Sequence, residues 1–268
     1  SEFIFGHHVR KCFSCGFISL FPLLDNIGDF YETEQYRKEF FDEISVSDLQ
    51  KKFDHEQNVR LSKIGIENLR GKIVGDFGAG PGLFLDSIKG IANKTIAIEP
   101  TKIYHKYFEK VGHSYFSYPE DLIESNIKLD VAISFDTIEH IENINEFVLN
   151  IYKSLNKGGI FYLSIPNHND VVKLLLPDKL DPFLYMKAHL NYFTSKTANK
   201  LLEKCGFKLI SSSFVHKYKL SNIIQWATKG KPGSYDTSKV FDNHFDNVFV
   251  NEINRLGLSS HLFIIAQK

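Results

Sequence analysis

Ile73-Val74-Gly75-Asp76-Phe77-Gly78-Ala79-Gly80-Pro81-Gly82 is an apolar run that ends in an acid and passes into a glycine-rich turn. The run has the length and composition of a strand buried on both faces. Gly78 and Gly80 permit backbone conformations and close approaches that a side chain forbids, and Pro81 pre-sets φ for a first helical turn beginning near Gly82. Strand, glycine turn and helix make the opening unit of a doubly wound α/β fold, in which ligands bind at the carboxyl ends of the strands.

Spacing then separates the ligands such a turn can hold. Counting a G-x-G-x-x-G fingerprint from Gly78 puts Leu83 where the third glycine belongs, and no Gly-Lys-Ser/Thr follows to make a phosphate loop. Asp76, two residues before the first glycine, suits a cationic amine better than a second phosphate. The next apolar run, Thr95-Ile96-Ala97-Ile98-Glu99, ends in a carboxylate suited to both hydroxyls of a ribose, and Pro100 closes it. An amine next to a ribose favours S-adenosylmethionine over a pyrophosphate cofactor. The alternative is a Rossmann domain that binds NAD or no nucleotide.

On these residues the chain resembles the class I S-adenosylmethionine-dependent methyltransferases, with Asp76 to Gly82 as their first motif and Glu99 as their ribose-binding acid. The resemblance implies a Rossmann-like, doubly wound, mostly parallel sheet of seven strands. It also implies that Asp76, Gly78, Ala79, Gly80, Glu99, Pro100, Phe135 and Asp136 bind S-adenosylmethionine, which leaves as S-adenosylhomocysteine.

Outward from this unit the α/β rhythm continues. Strands are expected at Ile73–Phe77, Thr95–Glu99, Ser114–Phe116, Val131–Phe135, Ile160–Ile165, Lys208–Phe214 and Leu262–Ala266, with helical stretches between them. A helix is expected over Leu49–Leu69, and Gly158 fits a helix C-terminal cap before the strand at Ile160. Residues 1–50 read as an N-terminal lead-in and 51–268 as the cofactor-binding domain, with lid inserts at about 169–191 and 217–260; Lys229-Gly230-Lys231-Pro232-Gly233 reads as a turn in the second.

Composition narrows the function class. Basic and acidic residues balance at 32 each, so no chain-wide positive field draws in nucleic acid or an anionic membrane. No apolar run approaches the length of a membrane span and no secretory leader is visible, which leads to the expectation of a cytoplasmic protein. The 3 cysteines are too few for a disulfide framework. The chain starts Ser1-Glu2-Phe3 without methionine, so these residues read as a cloning remnant with natural residues missing ahead of them.

Beyond the glycine turn, the run Asp130 to Ile141 delivers Asp136, Glu139 and His140 at the end of a strand. His189-Leu190-Asn191-Tyr192-Phe193 follows the first insert, and its imidazole is placed to take a proton from an acceptor hydroxyl. His189 and Asp136 are therefore the candidate catalytic residues, and Tyr31, Tyr36, His168 and Tyr192 the candidate substrate lid. No metal is assigned, and two alternatives stand beside that. Cys12-Phe13-Ser14-Cys15 looks like half of the zinc-binding module of a small-molecule methyltransferase subgroup; four ligands would need His7, His8 or residues outside the chain. Asp136, Glu139 and His140 are similar to an acid-x-x-Glu-His that ubiquinone-pathway and small-RNA methyltransferases place on a divalent ion. Cys205 reads as a buried small hydrophobe.

The resulting expectation is methyl transfer to a small polar metabolite, foremost O-methylation of a sugar or nucleotide-linked sugar. C- or N-methylation on the same scaffold and a silent methyltransferase-like binding partner are the alternatives. A homodimer is left open, and the lack of an Asn/Asp-Pro-Pro-aromatic motif at Ser134-Phe135-Asp136-Thr137 weighs against nucleic-acid substrates.

Overall fold

Side chains in the strands after Gly71 alternate between two cores, and that alternation builds the sheet. In β5 (Lys94–Ile98), Ile96 and Ile98 pack into one core while Ala97 packs into the other. In β7 (Leu129–Phe135), Leu129 and Ala132 face the first core and Val131, Ile133 and Phe135 the second. Such strands have no solvent face and need helices on both sides. The computed structural model that shows this describes residues 2–4, 7–21, 46–186, 188–230 and 242–268. Tyr31, Tyr36 and the residues Lys231-Pro232-Gly233 lie outside it.

The main sheet has 7 strands in the order β10-β11-β8-β7-β4-β5-β6, with β4 at Ile73–Phe77, β6 at Ser114–Phe116, β8 at Leu155–Pro166, β10 at Lys208–Val215 and β11 at His261–Gln267. All pairings are parallel except those of β11, which runs antiparallel to both neighbours. This is the expected Rossmann-like sheet, mostly parallel. On one side pack α6 (Ile144–Ser154) and α9 (Ser195–Lys204), through Val148, Ile151, Ala198 and Leu202. On the other pack α2 (Ile66–Leu69), α3 (Leu83–Ile88) and α4 (His105–Val111), through Leu69, Leu85, Ile88 and Phe108. The helix α5 (Pro119–Glu124) adds Leu122 to the first core.

A second sheet has the order β1-β2-β3-β9, formed by Glu2–Ile4, His7–Lys11, Ile18–Phe21 and Asn191–Tyr192. It joins the N-terminal hairpin to the end of the first insert, with Ile18 opposite Tyr192 and Ser19 opposite Asn191. The inserts contribute α7 (Val171–Leu175), α8 (Pro177–Leu184), α10 (Leu220–Lys229) and α11 (Asn243–Leu256), which share a small core around Val172, Trp226 and Ile253.

Two local expectations are corrected. The helix expected over Leu49–Leu69 is α1 (Val46–Ile64) followed by α2, interrupted at Gly65, whose φ of +84° ends the first helix. Gly158 is no helix cap: α6 ends at Ser154, β8 starts at Leu155, and Gly158 bends inside that strand at φ +80°, donating its N–H to the Lys268 carbonyl at 3.1 Å. The helix expected to begin near Gly82 is α3, which starts at Leu83 with Gly82 as its left-handed N-cap, so Pro81 lies just before it.

The N-terminal helix is fastened to the sheet domain by Asp86. Its Oδ2 accepts from Gln50 Nε2 of α1 and from the Tyr107 hydroxyl, both at 2.8 Å, and its Oδ1 lies 3.0 Å from His113 Nε2. Burial opposes its charge, but the bonds from His113, Tyr107 and Gln50 win and hold its pKa below the usual carboxylate range. Asp86→Ala is expected to cost about 2 kcal/mol in urea unfolding and to raise deuterium uptake across α1. Unchanged values would show that α1 is held elsewhere.

Candidate active site

Level parallel strands bring Asp76, Glu99 and Asp136 to one edge of the sheet, in or just past the ends of β4, β5 and β7. Past β4 the chain takes positive φ at Gly78 (+80°), Gly80 (+53°) and Gly82 (+79°). A Cβ at Gly78 would collide with Thr137, whereas nothing lies within 4 Å of where a Cβ at Gly80 would stand. The Gly78 N–H donates to the Ile98 carbonyl at 2.8 Å, tying the turn to the neighbouring strand. Gly80 N–H donates to Glu99 Oε2 at 2.8 Å, and Thr101 N–H to Oε1 at 3.0 Å. Each Glu99 oxygen keeps a second lone-pair direction for another donor.

The cleft beside this turn encloses about 220 Å³. Its floor is Asp76, Gly78 to Pro81, Leu83, Phe84, Tyr104 and Phe135; its far wall is the face of α1 that carries Leu49, Phe53, Glu56, Gln57 and Arg60. Glu99, Pro100 and Asp136 are not among the lining residues; Glu99 reaches the cleft through its bond to the Gly80 amide. Asp76 is buried; desolvation raises its pKa, Arg60 pulls it partly back and Glu99 raises it again, to about 7. A buried carboxylate in that condition is short of a cationic partner. The open space over Gly80, the two half-used oxygens of Glu99 and the cation-seeking Asp76 fit an adenosyl ribose and an α-amino group.

Asp136, with φ +50°, is held in a network of charges. Its Oδ2 lies 2.8 Å from Arg60 Nη2 and 3.2 Å from Lys217 Nζ, and its Oδ1 lies 3.4 Å from His261 Nε2. Glu56 completes the network, 3.0 Å from Lys217 and 3.3 Å from Arg60. Burial works against the Asp136 charge, yet Lys217, His261 and Arg60 together keep its pKa well below the ordinary value. Asp136 is thus spent on cations and does not join Glu139 and His140.

Those two meet His189 instead. Among the described residues, Glu139, His140 and His189 form the one group of three or more potential metal ligands, with all donor atoms within 4.8 Å of one another. His140 Nδ1 donates to the Ala188 carbonyl at 2.7 Å and His189 Nδ1 to the Leu184 carbonyl at 2.9 Å. A carbonyl only accepts, so both Nδ1 atoms carry the proton and both Nε2 atoms keep their lone pairs. Glu139 is buried, and its Oε2 has no hydrogen-bond partner among the described residues. Burial and Asp136 push its pKa well up, while burial and His189 pull that of His140 down to about 3.

The remaining candidates stand apart. Tyr192 is buried and its hydroxyl donates to the His189 carbonyl at 2.8 Å, so it braces that residue. His168 Nε2 lies 2.8 Å from both the Tyr185 hydroxyl and Lys173 Nζ. Cys12 and Cys15 are free thiols in the turn between β2 and β3, and no group of three or more ligands includes them among the described residues. Cys205 is buried, as expected.

A family model for the methyltransferase domain matches residues 49–212. The chain belongs to this methyltransferase domain family. It is 28% identical over 152 residues to a probable S-adenosylmethionine-dependent methyltransferase of Mycolicibacterium smegmatis, covering 52% of this chain and 53% of that protein. It is 27% identical over 106 residues to a ubiquinone biosynthesis O-methyltransferase of Rickettsia bellii, covering 37% and 44%. The chain thus spans about half the length of the curated relatives it matches. A SAM-dependent methyltransferase of Archaeoglobus fulgidus has the same fold, with a TM-score of 0.56 and 20% identity over 82% of this chain and 98% of that one.

Four charged or titratable residues beside the site went unread in the sequence: Glu56 and Arg60, and, beyond the residues that the family model matches, Lys217 and His261. The face Leu49, Phe53, Glu56, Gln57 and Arg60 recurs at helical spacing, and that stripe was the available signal. Lys217 and His261 carry no local signal.

The Asp76 pKa of about 7 sets a pH dependence. Below that pH the carboxyl is protonated and cannot pair with an ammonium; above it the charge is in place. S-adenosylmethionine affinity, measured calorimetrically, is therefore expected to rise about fivefold from pH 6 to pH 7, below the range in which the α-amino group of the cofactor loses its own proton. Asp76→Asn should bind weakly and flatten that dependence; a slope retained in the variant would assign the titration to another group.

Proposed function

We propose that the chain transfers the methyl group of S-adenosylmethionine to a hydroxyl oxygen of a small polar acceptor, with a divalent cation at Glu139, His140 and His189. The observation that carries this reading is the pair of neutral imidazoles held by backbone carbonyls beside a buried carboxyl group, one oxygen of which has no hydrogen-bond partner among the described residues. Such a donor set asks for a cation. S-adenosylmethionine supplies a methyl already activated on a sulfonium, and a divalent ion supplies a Lewis acid that lowers the pKa of an acceptor hydroxyl.

The chain's own part is to bind and orient. Asp76 receives the amine of the cofactor, Glu99 its ribose hydroxyls, and Arg60, in the opposite wall, its carboxylate. Phe135 packs beneath this wall, 4.8 Å from the Arg60 guanidinium. The acceptor class that suits a hard cation is one with neighbouring oxygens, of which a sugar or nucleotide-linked sugar is the simplest case. In this reading His189 is a ligand rather than the general base: the hydroxyl proton passes to water as the O–CH3 bond forms and the S–CH3 bond breaks, releasing S-adenosylhomocysteine. That the Rickettsia bellii relative is named an O-methyltransferase agrees with an oxygen acceptor.

The test is transfer of labelled methyl from S-adenosylmethionine into a fractionated cell extract, with small-metabolite and macromolecular pools counted separately. Label is expected in the small pool, lost on chelation, restored by Mg²⁺ or Mn²⁺, and reduced about a hundredfold in His189→Ala. Label confined to macromolecules would overturn the acceptor class, and full transfer in the presence of chelator would overturn the cation.

A further inference from the structure

The donor set of this reading is assembled from two segments far apart in the chain. Glu139 and His140 sit in the short 3₁₀ turn Ile138–His140, and His189 precedes β9. The Leu190 N–H donates to the Glu139 carbonyl at 2.8 Å, and the His140 ring donates from Nδ1 to the Ala188 carbonyl at 2.7 Å. Among the described residues, the Asn191 side chain also crosses between the segments and spans the turn. Its Nδ2 donates to the Ile138 carbonyl at 3.3 Å and to the Ile141 carbonyl at 2.6 Å, one on each side of Glu139 and His140.

We infer that Asn191 is a positioning residue that holds the cation donors of Glu139, His140 and His189 in register before any ion arrives. This rests on the cation reading of the preceding subsection. The chemistry favours an amide here. An NH₂ group has two donors, so a single side chain can bind two carbonyls; a hydroxyl has one and an ionised carboxylate none. Asn191 is buried, so no water replaces those bonds when the amide is removed. Its neighbour in sequence, Tyr192, bonds the His189 carbonyl, so the strand that carries the clamp also holds the third donor. Registering donors in advance removes the ordering cost from ion binding, and groups that orient ligands are typically worth about ten- to a hundredfold in metal affinity.

The experiment measures Mn²⁺ binding to the full chain by the electron-spin signal of free Mn²⁺, with S-adenosylmethionine affinity and circular dichroism followed in parallel. Asn191→Ala is expected to weaken Mn²⁺ binding by about tenfold or more while cofactor affinity stays at the wild-type value. Asn191→Leu, close in volume and without donors, repeats the test should the alanine variant fail to fold. Leu190→Ala removes a buried apolar side chain from the same segment but leaves the clamp, so it loses stability while keeping its Mn²⁺ affinity. Wild-type Mn²⁺ affinity in either folded Asn191 variant overturns the inference alone, as does an equal loss in Leu190→Ala. Absence of Mn²⁺ binding by the wild-type chain overturns the cation reading and this inference with it.

Discussion

The two hydrogen bonds that Glu99 accepts from the Gly80 and Thr101 amides hold the cofactor end of the molecule together. One carboxylate just past β5 fixes both the glycine turn after β4 and the start of the segment after its own strand. The turn needs such an anchor because positive φ at Gly78, Gly80 and Gly82 leaves it without the regular hydrogen bonds of either flanking element. An acid at this position therefore has a structural task that precedes any ligand. It also puts one negative charge near Asp76, whose pKa burial raises first and Glu99 raises further, and that carboxylate is left in want of a cation.

A second constraint acts across the cleft. Arg60 and Glu56 come from α1, Asp136 from the end of β7, Lys217 from the segment after β10 and His261 from the start of β11. These groups are partly exposed, so each ion pair alone contributes little to stability. Their value lies in geometry: they join four separate elements around one carboxylate. The directions of the shifts agree, with Asp136 and Glu56 held low and Lys217 held high, each burial penalty being outweighed by its partners in the network. The α1 wall of the cleft is therefore clasped to the sheet domain at Arg60 and, a few turns away, at Gln50 on Asp86 of α3.

The sheet was legible in the sequence because its strands are short apolar runs between turn signals, and the ends foreseen for Ile73–Phe77 and Ser114–Phe116 match the observed ones. The placement of Asp76 and Glu99 at the strand ends beside the glycine turn was legible because strand, acid and glycine spacing encode it locally. Arg60, Lys217 and His261 were not, since what makes them site residues is a partner 76 or more positions away, and no periodicity records it. Gly65 and Gly158 show the other limit. A glycine announces that the chain can bend, not whether the bend ends a helix or sits inside a strand.

His189 illustrates how a residue can be found while its chemistry stays hidden. Read alone, a histidine after a lid insert is a fair general base. In the fold, its Nδ1 is committed to the Leu184 carbonyl and its ring centre lies 5.0 Å from that of His140, itself committed to Ala188. A base that takes a proton there becomes a cation facing a second imidazole, in a place where burial already disfavours charge. Moving the proton from Nδ1 would forfeit the bond to Leu184. The donor atoms of both rings and of Glu139 lie within 4.8 Å of one another, and the divalent ion proposed above would engage all three groups where a proton engages one.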